Sequence, residues 1–149
     1  MNQIKNYVQG NWVFGDKEEM VAHHAITGDP VGVVSSAGLD YESILGYARK
    51  TGGPSLRKMT FQERGRMLKA LALHLMEIKE KFYVLSAATG ATRVDSWIDI
   101  EGGIGNLFAY ASLRKQFPDL PYAFEGDTVP LSKGGSFIGH HILVPKRGV

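Results

Sequence analysis

Between residues 60 and 90, Leu68, Leu71, Ala72, Leu75, Met76, Phe82, Leu85 and Ser86 recur largely at three- and four-residue steps. This spacing predicts one continuous apolar stripe along a helical face. Arg64, Arg66, Lys69, Glu77, Lys79, Glu80 and Lys81 mostly occupy the other side. Thr60 and Glu63 have the spacing of a capping box, in which the threonine oxygen accepts from a free backbone N–H and the glutamate reaches back. The charged run at residues 79–81 predicts a break into two helices, and Gly90 predicts a left-handed stop. A stripe of this length cannot be buried by its own helix, so flanking segments must pack on it.

The same patterning divides the rest of the chain. Residues 4–14 alternate around Gly10-Asn11, with Tyr7-Val8 before and Trp12-Val13-Phe14 after, and predict a β-hairpin. Residues 20–24 and 31–34 form a second extended pair, joined by Ile26-Thr27-Gly28-Asp29-Pro30, which carries turn residues. Asp40 is a good N-cap for a helix to about residue 50, with Ile44, Leu45, Tyr47 and Ala48 inward and Gly52-Gly53-Pro54 as its stop. A further helix runs from Thr92, capped with Asp95, to about residue 115, with Val94, Trp97, Ile98, Ile104, Phe108 and Ala111 as its apolar face. Gly102, Gly103 and Gly105 fall in its middle. Each costs about 1 kcal/mol relative to alanine, which implies a kink there or close approach by another backbone or a ligand. Pro118 and Pro121 mark an irregular link. Residues 127–131 and 136–144 then bracket Ser132-Lys133-Gly134-Gly135 as a last hairpin. Its second strand has Ile138, Ile142 and Val144 on one face and Phe137 and Leu143 on the other, so it expects neighbours on both sides. The pattern is that of an α+β domain: two β-hairpins, three to four helices and a C-terminal hairpin.

Composition narrows the chemistry. The chain has no cysteine among its 149 residues, which excludes disulfides, Cys-ligated zinc, iron–sulfur clusters and thiol nucleophiles within it. Seventeen basic against fifteen acidic residues give +2, too little for a nucleic-acid or anionic-membrane binder. No apolar run approaches a membrane span, and the first residues lack the apolar region of a signal peptide. A cytoplasmic location is the resulting expectation.

No catalytic set emerges from the residues themselves. His23-His24 and His140-His141 are adjacent pairs, and neighbours in a strand point to opposite faces, so neither pair chelates one metal as a unit. Asp95 and Asp99 share a helix face; the helix N-terminus accounts for Asp95 and solvation for Asp99. Gly103-Ile104-Gly105 is not preceded by a strand and does not open a helix, as a phosphate loop requires. Trp97 and Phe108, at helical spacing, read as core. Ser86, Ser96 and Ser132 have no recognisable His/Asp partner and no G-x-S-x-G around them.

Taken together, several segments resemble the opening of an aldehyde dehydrogenase: the hairpin around Tyr7 and Trp12, Ile26-Thr27-Gly28 ahead of the Asp40 helix, Glu63-Arg64 through Leu68, Thr89-Gly90, and residues 126–149. Four blocks are similar to the bifunctional enzymes of aerobic phenylacetate degradation, which couple an aldehyde dehydrogenase module to an enoyl-CoA-hydratase-like, ring-opening module. These are His23-His24-Ala25-Ile26, Lys58-Met59-Thr60-Phe61, residues 85–107 (LSAATGATRVDSWIDIEGGIGNL) and Pro130-Leu131-Ser132-Lys133. The likeness covers essentially the whole chain.

The resemblance implies an α/β fold class, with this chain as the N-terminal part of the aldehyde dehydrogenase fold. Residues 1–125 would belong to the nucleotide-binding and cover region, and residues 126–149 to the oligomerisation arm. In the parent family the reaction is NADP-dependent (or NAD-dependent) oxidation of an open-chain CoA semialdehyde to the acid. The family's N-F-P segment, dinucleotide loop, general-base glutamate and nucleophilic cysteine have no counterpart in these residues. No catalytic, cofactor-binding or metal residue is therefore assigned, and this chain alone is expected to bind no cofactor. Gly102, Gly103 and Ile104 would lie near the substrate entrance, where a bulky CoA-linked aldehyde needs room. Phe137, Ile138, Ile142 and Val144 would form the arm. The partners implied are a second copy of this chain or the remainder of the enzyme, with no nucleic acid and no membrane. The rival expectation is a non-enzymatic interaction module that binds a separately encoded remainder or a full-length homologue.

Overall fold

The computed structural model describes residues 2–16 and 20–146. Residues 147–149, at the end of the expected arm, lie outside the described residues. Near the start, β1 (Gln3–Ile4) is followed by the hairpin of β2 (Asn6–Val8) and β3 (Asn11–Val13), with Tyr7 opposite Trp12. The turn is Gln9-Gly10, one residue earlier than the alternation suggests, because Asn11 pairs with Val8. Gln9 and Gly10 both take positive φ, +52° and +86°. A two-residue hairpin of type I′ needs this at both central positions so that its twist matches that of the strands. The Asn11 side chain donates back to the Gln9 carbonyl at 3.3 Å.

The second extended pair forms as expected from β4 (Met20–His23) and β5 (Pro30–Val34), antiparallel. Its third strand was not legible: Gln3 and Ile4 leave the first hairpin and lie parallel to Val33 and Val34. Asp40 caps α1 (Tyr41–Tyr47) by accepting from the Ser43 N–H at 3.0 Å. Gly52-Gly53-Pro54 does not end that run. The chain widens into a π-helical turn over Ala48–Gly52 and continues as α2 (Gly53–Lys58). Pro54 sits in the first turn of α2, where a missing N–H leaves nothing unpaired. Tyr47, expected inward, is exposed, whereas Ile44, Leu45 and Ala48 are half-buried.

The central stretch breaks into two helices as expected, α3 (Phe61–Glu77) and α4 (Lys79–Ala88), but at Ile78, and the charged run 79–81 forms the first turn of α4 rather than the break. The Thr60–Glu63 capping box is present in both directions, at 3.1 and 2.8 Å, and Gly90 follows α4 at φ +84°. Helix α5 (Arg93–Ser112) has its own box, Thr92 with Asp95, and ends in a 3₁₀ turn over Leu113–Gln116. It packs along α3, and Gly65 marks the closest approach. A Cβ at Gly65 would lie 2.6–2.7 Å from Arg114 side-chain carbons and 3.0 Å from the Ala111 carbonyl oxygen, so glycine is there for backbone proximity. The link after α5 is strapped onto the start of α3. Phe117 stacks on Phe61 at 4.4 Å, Gln62 donates to the Arg114 and Phe117 carbonyls, and the Thr60 hydroxyl donates to Asp119.

The buried apolar residues are Val33, Ala72, Tyr83, Ile104, Ala111 and Ala123, and no large side chain among the described residues is completely enclosed. The stripe on α3 holds at Leu68, Ala72, Leu75 and Met76, but Leu71 and Leu85 are exposed. On α5 the expected face holds at Ile104, Phe108 and Ala111 and fails at Val94, Trp97 and Ile98, which are exposed. The reason is the period counted back from Ile104. It places Ile100 and Ser96 inward, and α4 meets that half of α5 through polar pairs rather than an apolar stripe.

The last hairpin joins β6 (Ala123–Pro130) to β7 (Ile138–Leu143), antiparallel, with an irregularity between Glu125 and Val129. Strand β6 begins at Ala123, four residues earlier than expected. Ser132 closes the loop, its Oγ accepting from the Ser136 and Phe137 N–H groups at 3.0 and 3.3 Å. Among the described residues β7 has no second strand neighbour.

Candidate functional site

Helix α5 runs unbroken through its glycines, with no kink at Gly102, Gly103 or Gly105. A Cβ at any of the three would meet nothing within 4 Å. Within the described residues no backbone approaches them closely. The three proposed entrance residues divide: Gly102 and Gly103 are exposed, and Ile104 is core at 5% exposure. Gly103 and Ile104 nevertheless line one apolar groove of about 470 Å³ with Leu75, Phe82, Ile100 and Leu107.

The glycines do not fit a dinucleotide. They lie mid-helix, where backbone N–H groups are used by the helix itself, and a phosphate needs the free N–H groups of a helix N-terminus. The serines are also engaged structurally. Ser86 and Ser96 bond each other at 2.8 Å between α4 and α5, and Ser132 holds the hairpin loop.

One polar cluster was not anticipated. The Glu101 Oε1 on α5 accepts from Lys79 Nζ and from the Tyr83 hydroxyl, both at 2.8 Å, and so ties α5 to α4. Arg93 lies 3.8 Å over the Tyr83 ring. The hydrogen bond from Lys79, and then that from Tyr83, hold the Glu101 carboxyl below the ordinary glutamate range. The same bond raises Lys79, and burial first, then the bond to Glu101, raises the Tyr83 phenol. The signal was present in spacing: Glu101 stands three residues before Ile104, on the inward side, which an exposed glutamate would not occupy.

This cluster has a signed pH dependence. A carboxyl with a depressed folded pKa contributes stability above its unfolded pKa and loses it as pH falls through the folded value. Lys79 behaves oppositely, contributing below its ordinary pKa and losing that contribution at high pH. Glu101→Gln is expected to melt below the parent chain at pH 7, and the gap is expected to close as pH falls below the ordinary glutamate range. Thermal melts across pH 3–8 (about that range) check it; a gap that widens in acid is the contrary outcome.

The histidines hold turns. His24 Nδ1 accepts from the Ile26 and Thr27 N–H groups, and His23 Nδ1 donates to the Gly28 carbonyl at 2.9 Å. In the hairpin, His140 Nε2 donates to the Gly126 carbonyl at 2.9 Å, while His141 lies 3.4 Å from Glu125. Asp95 is occupied by its capping box, and the Thr92 hydroxyl bond holds its carboxyl low. Among the described residues no three His, Asp or Glu side chains are placed to share a metal, and no helix is long and apolar enough to cross a membrane.

The arm residues form a second surface. Phe137, Ile138, Ile142 and Val144 are 70%, 71%, 50% and 65% exposed. Ile142 pairs with Phe124 and Ile138 with Pro130 across the hairpin, so Phe124, Ile138 and Ile142 share one open face with His140, whose ring lies 4.7 Å from that of Phe124. Phe137 lies in the loop rather than on β7.

No protein-family profile matches the chain. It is 34% identical over 148 residues to the 3,4-dehydroadipyl-CoA semialdehyde dehydrogenase of Aromatoleum evansii, an alignment that takes in 99% of this chain and 29% of that protein. The chain thus spans less than a third of that relative's length. The likeness runs through the strands, the helical body and the hairpin alike, and it makes the chain similar to part of an aldehyde dehydrogenase.

Proposed function

We propose that this chain supplies the N-terminal part of an aldehyde dehydrogenase that oxidises a CoA-linked semialdehyde to the acid, with NADP or NAD as hydride acceptor, in phenylacetate catabolism. The observation that carries the reading is the 34% identity, along nearly the whole chain, to a relative named as a CoA-semialdehyde dehydrogenase. The oxidation needs a nucleophile that adds to the carbonyl and a nicotinamide positioned to take the hydride. With no cysteine in its sequence, the chain contributes neither and does no chemistry alone. Its part is architectural: residues 1–125 cover the nucleotide-binding region, the groove beside Gly103 and Ile104 borders the substrate entrance, and residues 126–149 reach a neighbouring subunit.

The exposed apolar faces support this reading, since Trp97, Ile98, Phe137, Ile138 and Val144 lie open in a chain of otherwise ordinary polarity. The same exposure favours the rival reading, an interaction module that binds a separately encoded remainder without restoring turnover. One experiment separates them. The chain is mixed with the Aromatoleum evansii relative lacking its matched segment, and semialdehyde oxidation is followed with NADP and with NAD. Restored turnover supports the enzyme reading; association without turnover supports the module. Saturable NADP binding to this chain alone, by calorimetry, contradicts both.

A further inference from the structure

A cavity of about 330 Å³ lies between the start of α2, Arg64 on α3 and the chain after β7. Leu56, Gly53 and Pro145 give it apolar walls, and Arg57, Arg64 and Lys146 line it, with no acidic residue among its lining. Arg64 is the unusual member. Its guanidinium rests 4.7 Å from the Phe61 ring centroid, and Phe61 is itself stacked on Phe117. Its Nη2 is closed off from solvent and meets no acceptor among the described residues. A desolvated guanidinium N–H without an acceptor is costly, and a partner that brings a carboxylate removes that cost with short, charge-assisted bonds.

We propose that this cavity is the socket for a carboxylate side chain, carried on an apolar segment of the polypeptide that completes the dehydrogenase. The inference rests on the function proposed above and names the contact by which the two parts engage. Three cations without a counter-charge among the described residues select an anion over a neutral acceptor, and the apolar walls select one presented by a packed segment. Most of the relative's length lies outside the part this chain matches, so the polypeptide that would present it exists in the assembled enzyme. A second copy of this chain is the alternative occupant, and the experiment distinguishes it.

The test compares the parent chain with Arg64→Met and Arg66→Met, the latter exposed on the same helix. Each is titrated against the Aromatoleum evansii protein lacking its matched segment, at low and high salt. Arg64→Met is expected to weaken that binding by about ten- to a hundredfold and to flatten its salt dependence. Arg66→Met should bind as the parent does. The isolated Arg64→Met chain should melt no lower than the parent, because methionine keeps an apolar contact with the Phe61 ring and removes an N–H that meets no acceptor among the described residues. Equal binding by Arg64→Met overturns the socket while the function stands. A weakened complex with unchanged salt dependence overturns the carboxylate. A lowered melting temperature of the isolated variant means Arg64 already has an internal partner and overturns the proposal. Loss of self-association in Arg64→Met makes the occupant a second copy. If the parent chain does not bind the complementary part at all, the proposed function fails, and the socket fails with it.

Discussion

Ile104→Ala is expected to abolish cooperative unfolding of the isolated chain while leaving most of its helical signal. Ile104 is 5% exposed and faces Leu75, Phe82, Ile100 and Leu107 at the junction of α3, α4 and α5. Truncating a buried isoleucine to alanine costs about 2–5 kcal/mol, the larger part where the site cannot collapse. A single domain of ordinary size holds only about 5–15 kcal/mol in total, and no large side chain is completely enclosed among the described residues of this one. The loss therefore takes up much of what the tertiary packing supplies. Two capping boxes and local helical contacts remain, so far-UV circular dichroism should keep its helical shape while the thermal transition broadens and dye binding rises. Ile98→Ala, at a 55% exposed position on the same helix, should change stability by less than about 0.5 kcal/mol. Equal effects at the two positions would mean that the inward face of α5 has been misassigned.

That contrast also shows where sequence periodicity carries and where it stops. The boxes at Thr60 and Thr92, the break between α3 and α4, the left-handed Gly90 and the final hairpin depend on a few adjacent residues, and each was legible. The inward face of α5 was only half legible. Its N-terminal half turns Ser96 and Glu101 toward α4 and leaves Trp97 and Ile98 open, a pattern that hydrophobicity alone inverts. Such inversion has a physical source: apolar side chains left on the surface look, in sequence, like side chains for the core. The parallel pairing of Gln3-Ile4 with β5 was hidden for a different reason. Two residues carry no period, and their partner lies thirty positions away. Gly52-Gly53-Pro54 misled because stop signals assume an α-helical register, and a π-helical turn carries the chain past them.

The proposed sites divide the same way. The glycines of α5 stood out because they break helix propensity, yet among the described residues nothing approaches them, and each faces open space. Arg64 did not stand out, since a charged residue on an amphipathic helix is ordinary, and Glu101 was marked only by its spacing from Ile104. Only the arrangement of α3, α4 and α5 separates the satisfied Glu101 from the unsatisfied Arg64.

Ile138→Lys is expected to make the chain more monomeric. Strand β7 pairs with β6 on one side and has no strand on the other among the described residues, and an open edge with apolar neighbours recruits further strands. Pro130, opposite Ile138, removes an N–H from β6, so strand addition is favoured along β7. The contact proposed for the arm then centres on Phe124, Ile138 and Ile142, which share a face. Ile138 is 71% exposed, and a lysine there can stay hydrated in the monomer, so the hairpin itself should fold unchanged. In an associated chain the same lysine would be desolvated against apolar side chains. Removing one central apolar anchor commonly weakens an interface by more than about 1 kcal/mol, and tenfold corresponds to about 1.4. The dissociation constant for self-association should rise at least about fivefold. Ser112→Ala is the control, since Ser112 only returns a bond to the Ala109 carbonyl on α5, away from the arm. Sedimentation of parent, Ile138→Lys and Ser112→Ala over a concentration series decides between them. If Ile138→Lys sediments as the parent does, self-association runs through another surface, and the exposed Trp97 and Ile98 on α5 become the place to look.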